Sequence, residues 1–377
     1  MMQPTRSGWR GALIANWFYL LIAVGLAFLP QIIGLITGDS PFGVRGRPIG
    51  QSIFWQGVLI EVFLLAVLAM SYNLLFGFTG VISFGHALFF GAGGYVIGLA
   101  LEYTELGPEL SVIVGVIIAL VVSAGLALLI GLASLRLRGV YFAVFTLAVA
   151  ELFFIFFGRL PLTFAEDGFS ITDLPTWIDP IRNRLGFYYI ALVLMIVTFL
   201  FLRRLIYSPT GAVMLAIREN EERAKTIGYN TLRYKLIAIM IAGMLAALAG
   251  ILQALFTKKV GPELLGLTYT IDPLLMTIIG GAGTFAGPVV GATGIHLTDR
   301  LLRDREIIIG ATTIDIGASW ALILGILFII VVLVLPQGIV GTWNRWRAAR
   351  QAQTTPPPPP SARNQRAIET PAAKSNP

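Results

Sequence analysis

Residues 208–250 read SPTGAVMLAIRENEERAKTIGYNTLRYKLIAIMIAGMLAALAG, and two opposed chemistries meet in them. Between Arg218 and Lys225 six of eight residues are charged, whereas no charge occurs from Leu236 to Thr257. A bilayer's hydrocarbon is crossed by roughly 20 apolar residues in a helix. The second half therefore belongs inside a membrane and the first half at its edge. Val213, Ala216, Ile217, Ala224 and Ile227 recur at helical spacing. Pro209 stands where a helix can begin, and Gly228 and Asn230 tolerate the left-handed backbone that ends one. Residues 211–228 are thus expected to form one short amphipathic helix between two spanning ones.

Working outward, the rest of the chain repeats the second chemistry. Of 377 residues 56% are hydrophobic and 12% charged, with a mean hydropathy of +0.81. Nearly uncharged runs fill 11–38, 62–101, 110–135, 139–158, 185–202, 236–257, 273–298 and 316–344. They are apolar throughout rather than at alternate positions, which excludes a barrel. The expected fold is an all-α polytopic membrane protein with about eight to ten transmembrane or re-entrant helices. The first run follows Arg6 and Arg10 but is too long for a signal segment and reaches no small-residue cleavage pattern, so it reads as a retained helix. Cysteine is absent, which excludes disulfides and thiolate metal sites. The net charge of +7 sits in short loops and the tail, a pattern of membrane orientation and not of nucleic-acid binding.

Basic loops mark the cytoplasmic side. Arg6 and Arg10, Arg136 and Arg138, and the cluster from Arg203 to Lys235 fall on one side if helices run at about 12–36, 55–76, 84–102, 110–134, 140–158, 188–206 and 236–256. Residues 207–235 are then cytoplasmic and the acidic loop 159–187 external. The basic tail should also be cytoplasmic, which two simple spans after residue 257 do not allow. Either DPLLMTIIGGAGTFAGPVVGATGIHL enters and leaves from one side as two half-helices joined at Gly280 to Gly287, or it is one close-packed Gly-rich helix. The expected division is residues 1–54 as a first helix and external linker, 55–345 as the membrane domain, and 346–377 as a disordered basic tail with five consecutive prolines.

Glu222, Ala224 and Gly228 make the pattern E-x-A-x-x-x-G. In a cytoplasmic loop this resembles the signature of ABC-importer permeases, whose short helix docks into an ATP-binding subunit. The longer stretch 208–250 resembles the LivM-type permeases of branched-chain amino acid transporters, as do NLLFGFTGVISFGHALFFGAGGYVIG, LRLRGVYFAVFTLAVAELF and IIGGAGTFAGPVVGA. The resemblance implies a permease subunit in a bacterial cell membrane. It would pair with a LivH-like second permease, bind two cytoplasmic ATP-binding subunits, receive solute from an extracytoplasmic binding protein, and carry no cofactor. It also implies ATPase-coupling roles for Arg218, Glu221, Glu222, Arg223, Ala224 and Gly228. The mixed charges alone leave open a helix lying among lipid headgroups. Where relatives tend to carry TGGxDG, this chain reads LTFAEDGFS, with Phe164 and Ala165 ahead of Glu166, Asp167 and Gly168. The solute implied is a branched-chain amino acid, with urea or short amides as alternatives. No Gly-Lys dipeptide occurs, so any ATP hydrolysis belongs to another polypeptide. An ion-coupled carrier, with Glu151 as its coupling site, is the competing reading.

Ionisable and small polar residues at membrane depth are candidates for the solute path. Glu151 lies inside FTLAVAELFFIFF, and either lines the path or bonds a neighbouring helix. Glu61, nearer a helix end, reads as structural. His86 and Ser83 lie beside Gly85, Gly91, Gly93 and Gly94, which allow either close helix packing or a broken helix. Asn73, Gly281, Gly283 and Thr284 complete the path candidates. With His86 and His296 the only histidines, neither a metal site nor a catalytic one is expected.

Overall fold

A backbone in hydrocarbon must satisfy its own hydrogen bonds, and the chain does so with helices. The computed structural model describes residues 9–42, 50–137, 139–302, 306–309, 312–315 and 320–354. Its helices are α1 (Trp9–Thr37), α2 (Gln51–Asn73), α3 (His86–Tyr103), α4 (Pro108–Ser134), α5 (Val140–Arg159), α6 (Arg184–Ile206), α7 (Pro209–Glu219), α8 (Glu221–Thr226), α9 (Thr231–Thr257), α10 (Thr268–Gly280), α11 (Gly287–Leu302), α12 (Trp320–Val334) and α13 (Gly338–Thr354). Among the described residues five helices are long and apolar enough to cross a membrane: α2 with the π-helical turn Leu74–Thr79 that continues it, α4, α5, α6 and α9.

The centre of the bundle is α2, which is apolar on every side and buried on nearly every side. It packs against α6, α9, α10 and α11, with Ile60, Ala66, Val67, Leu68 and Tyr72 fully enclosed. The α3 and α9 helices cross so closely that a Cβ on Gly93 would fall on the Ala247 backbone, and one on Gly250 on the Phe90 carbonyl. The glycines of α3 thus serve packing, and α3 is unbroken through them. By contrast, α5 turns most of its surface outward.

The Gly-rich segment after residue 267 is broken, as the first of the two sequence readings has it. Helices α10 and α11 lie against each other as a hairpin, and any Cβ on Gly280 or Gly291 would strike the opposing backbone. Its turn spans Gly281 to Ala286, with Gly281 at φ 122° and Gly283 at φ 78°. At the opposite face, β1 (Phe169–Ser170) pairs antiparallel with β2 (Lys259–Val260), tying the loop after α5 to the end of α9. The turn leading into β1 holds Phe164 at φ 58° and Ala165 at φ 50°. A second antiparallel pair, β3 (Glu306–Ile309) with β4 (Thr312–Asp315), follows α11. Helix α13 continues to Thr354, past the boundary expected at residue 346, because its Trp, Arg, Ala and Gln residues sustain a helix up to the prolines. Residues 355–377 of the expected tail lie outside the described residues.

Candidate functional site

The expected single helix at 211–228 is two helices. Ser208 caps α7 by accepting from the Gly211 amide, with Pro209 in the first turn. Asn220 then leaves the helical region at φ −160° and accepts from the Arg223 amide at 2.9 Å, starting α8 afresh. A short polar side chain that competes for backbone donors breaks the run. The end of α8 is as expected: Gly228 has φ 100°, its amide reaches the Lys225 carbonyl at 2.9 Å, and the Tyr229 amide reaches Ala224 at 3.1 Å.

The coupling candidates divide into inward and outward sets. Ala224 is buried with Val213 and Ile217 in a small cluster that Tyr234 of α9 covers. Three of the five residues of the apolar stripe are thereby used within the chain, and Ala224 positions α8 instead of presenting itself to a partner. Ala216 and Ile227, read as part of the same stripe, are exposed. Glu221 also faces inward, accepting from Lys235 at 2.6 Å and Thr231 at 3.0 Å and pairing with Lys225 at 3.3 Å. Partial burial alone would raise its carboxyl pKa. The hydrogen bond and charge of Lys235, with Thr231 and Lys225, outweigh that and hold it below its usual 4.5. Glu222 and Arg223 remain on the outward surface.

Arg218 is exposed on α7, yet its side chain reaches back onto the end of the bundle, and this the sequence pattern did not disclose. Its guanidinium donates to the Gly77 carbonyl in the π-helical turn after α2. Its stem lies over Gly80, where a Cβ would meet it at 3.3 Å, and any Cβ on Gly283 would fall on its guanidinium. Asn73 completes this junction by donating to the Thr284 carbonyl and accepting from the Gly283 amide, each at 2.9 Å. Thr284 bonds back to Gly281 at 2.7 Å and accepts from the Gly287 amide at 3.1 Å. Four of the path candidates, Asn73, Gly281, Gly283 and Thr284, therefore form one structure. It is a clamp on the hairpin turn, braced from outside by α7. Gly77 and Gly80 belong to it and were overlooked; their spacing at the end of an apolar run was the available signal.

The other candidates lie elsewhere. His86 is fully buried, with its Nε2 2.8 Å from the Ser71 hydroxyl and its ring edge-on to Tyr72. Ser83 borders a cavity of about 10 Å³, room for one water, shared with Ser134 and Thr146. Neither faces an opening. Glu61 does not stand alone: its carboxylate lies 2.9 Å from His296 Nε2, joining α2 to α11. Glu151 is exposed on α5 among Val144, Leu152, Ile155 and Phe156, which are exposed with it. On the face carrying the β1–β2 pair, a cavity of about 320 Å³ is lined by Thr172, Asp173, Asp179, Arg182 and Lys258 among others, with Asp179 3.6 Å from Lys258.

Comparison with known proteins gives this geometry its context. The model of the family described as branched-chain amino acid transport system / permease component matches residues 55–336. The LivM permease protein of the high-affinity branched-chain amino acid transport system of Salmonella typhimurium is 26% identical over 73% of this chain and 67% of its own. That of Escherichia coli is 25% identical over 86% of this chain and 85% of its own. The LivH permease protein of Escherichia coli shares 29% identity over a shorter region, 40% of this chain and 46% of its own. The matched segment carries most of α2, every helix from α3 to α12, the braced hairpin and the α7–α8 unit, so the chain belongs to the family of permease components of branched-chain amino acid transport systems.

Proposed function

We propose that the chain is one of two permease subunits of an ATP-driven importer, and that it carries branched-chain amino acids across the cell membrane. The observation that carries this reading is the α7–α8 unit. It is a pair of capped helices locked to the bundle on its inner side, with Glu222, Arg223 and Ile227 left outward. A self-contained carrier has no use for such a surface, whereas an ATPase that must move the bundle needs a rigid one. The unit lies on the basic, cytoplasmic side, and the loop 159–187 with its polar cavity faces the binding protein outside. The second permease subunit covers the outward face of α5. A carboxylate at the depth of Glu151 is not stable against lipid tails, and water or protein along a shared path satisfies it.

The test is uptake by vesicles containing the chain with its co-purifying subunits. Leucine, isoleucine and valine should accumulate only with ATP and the cognate binding protein, and Glu222→Lys should detach the ATPases while leaving the membrane domain folded. Truncating or reversing a charge at such an interface costs about 2 kcal/mol, roughly a thirtyfold loss of attachment. Uptake driven by an ion gradient without ATP would overturn the proposal, and uptake of urea or amides in place of leucine would overturn its solute.

A further inference from the structure

Helix α13 carries a surface that the transport reading leaves unused. It follows the apolar α12 after a turn in which the Gly338 amide bonds the Leu335 carbonyl at 2.7 Å. At 100° per residue, Ile339, Trp343, Trp346 and Arg350 fall within one narrow stripe, with Arg347 at its border. The three large apolar side chains on that stripe are exposed. The indoles of Trp343 and Trp346 are 5.3 Å apart. The guanidinium of Arg347 lies over Trp343 at 5.1 Å and that of Arg350 over Trp346 at 3.5 Å. Residues 337–354 hold three arginines and no acid. An indole is stable at the boundary between hydrocarbon and water, and a guanidinium held over its face directs donors toward phosphate. A soluble protein partner would have to cover two tryptophans without offsetting charge from this helix, whereas an anionic headgroup above an acyl chain complements both halves of the stripe.

We propose that α13 is an interfacial helix that binds anionic phospholipid, with Trp343 and Trp346 at the acyl boundary and Arg347 and Arg350 on the headgroup phosphates. The site bears on transport through its root. Gly338, at φ 68°, lies so close to Gly281 that a Cβ would fall on its backbone, and the space beside Gly281 is closed by the Gln337 carbonyl at 3.0 Å. The lipid-bound helix therefore holds one side of the hairpin turn while α7 braces the other.

The experiment reconstitutes the full chain with its co-purifying subunits and measures quenching of tryptophan fluorescence by brominated phosphatidylglycerol and brominated phosphatidylcholine. The chain has seven tryptophans, so the signal of the stripe is the difference between wild type and Trp343→Phe/Trp346→Phe. Phosphatidylglycerol should quench that signal in preference to phosphatidylcholine. Arg347→Gln/Arg350→Gln should reduce the preference by up to about thirtyfold, at about 1 kcal/mol per basic residue. Arg347→Lys/Arg350→Lys and the off-stripe Arg345→Gln should retain it. Continued quenching of the glutamine variant by the neutral lipid shows that the helix is still seated. Equal quenching of wild type by the two lipids, or a preference that survives the glutamine substitutions, would overturn the lipid site. Quenching by neither lipid would also overturn it, and would assign the stripe to a protein surface such as the ATPase.

Discussion

Single residues decide two points in this chain. The family resemblance implies an ATPase-coupling role for Arg218, and in the structure its side chain donates to Gly77 and lies against Gly80 and Gly283. A charged donor on a carbonyl contributes about 1.5 kcal/mol, the low end of its range, where the residue is exposed to screening water, and the bond ties α7 to the hairpin turn. Arg218→Met keeps the stem and removes the donors. Uptake should fall at least about tenfold while the ATPases stay attached and continue to hydrolyse ATP. Loss of attachment instead would return Arg218 to the partner surface. The second point is the turn leading into β1, where Phe164 and Ala165 both have positive φ. Each non-glycine residue there costs on the order of 1 kcal/mol. Phe164 is partly compensated, since its ring lies 5.8 Å from that of Phe169. Ala165 has no such ring. Ala165→Gly should therefore raise stability toward thermal unfolding in detergent by about 1 kcal/mol, and an unchanged midpoint would show that the strain is absent.

At the scale of elements, the spanning blocks and the amphipathic segment between two of them were legible, because hydrophobic runs and helical spacing are local properties. The break at Asn220 was not, since an asparagine inside a helical pattern becomes a cap only when the chain bends there. The inward role of Glu221 was equally hidden, because Lys235 and Thr231 meet it only after α8 folds back on α9. That fold-back is sensitive to acid. A carboxylate held below 4.5 stabilises the docked state at any pH above that value, and the contribution disappears as pH falls through the lowered one. Amide exchange in residues 221–227 should therefore accelerate relative to α9 as pH falls below 4.5, after correction for intrinsic rates. In Glu221→Gln the exchange should be fast already at neutral pH. An acid response retained by that variant would place the switch elsewhere.

For the whole molecule, charge asymmetry predicts the orientation, and the structure selects the residue that reports it. Ala224 is buried and would label poorly from either side. Ile227, 67% exposed at the end of α8, is the appropriate site in a chain without cysteine. Ile227→Cys should react with an impermeant thiol reagent in inside-out vesicles stripped of peripheral subunits and not in intact cells; the reverse would invert the topology. The hairpin of α10 and α11 was legible as one of two readings, from the density of glycine and the mismatch in basic loops. Its attachment to Asn73, more than 200 positions away, was not: a contact of sequence separation 210 leaves no periodic trace.

The backbone contacts at Gly93, Gly250, Gly280 and Gly291 also bear on how such a chain can vary. Every nucleotide change that alters the amino acid encoded by a glycine codon adds at least a β-carbon, and at these four positions that carbon would overlap a neighbouring main chain. No one-step replacement is smaller, so none is mild. The two crossings, α3 with α9 and α10 with α11, are genetic dead ends: they can be lost by a single mutation, but a different residue can enter only after a second change has already moved the opposing helix away.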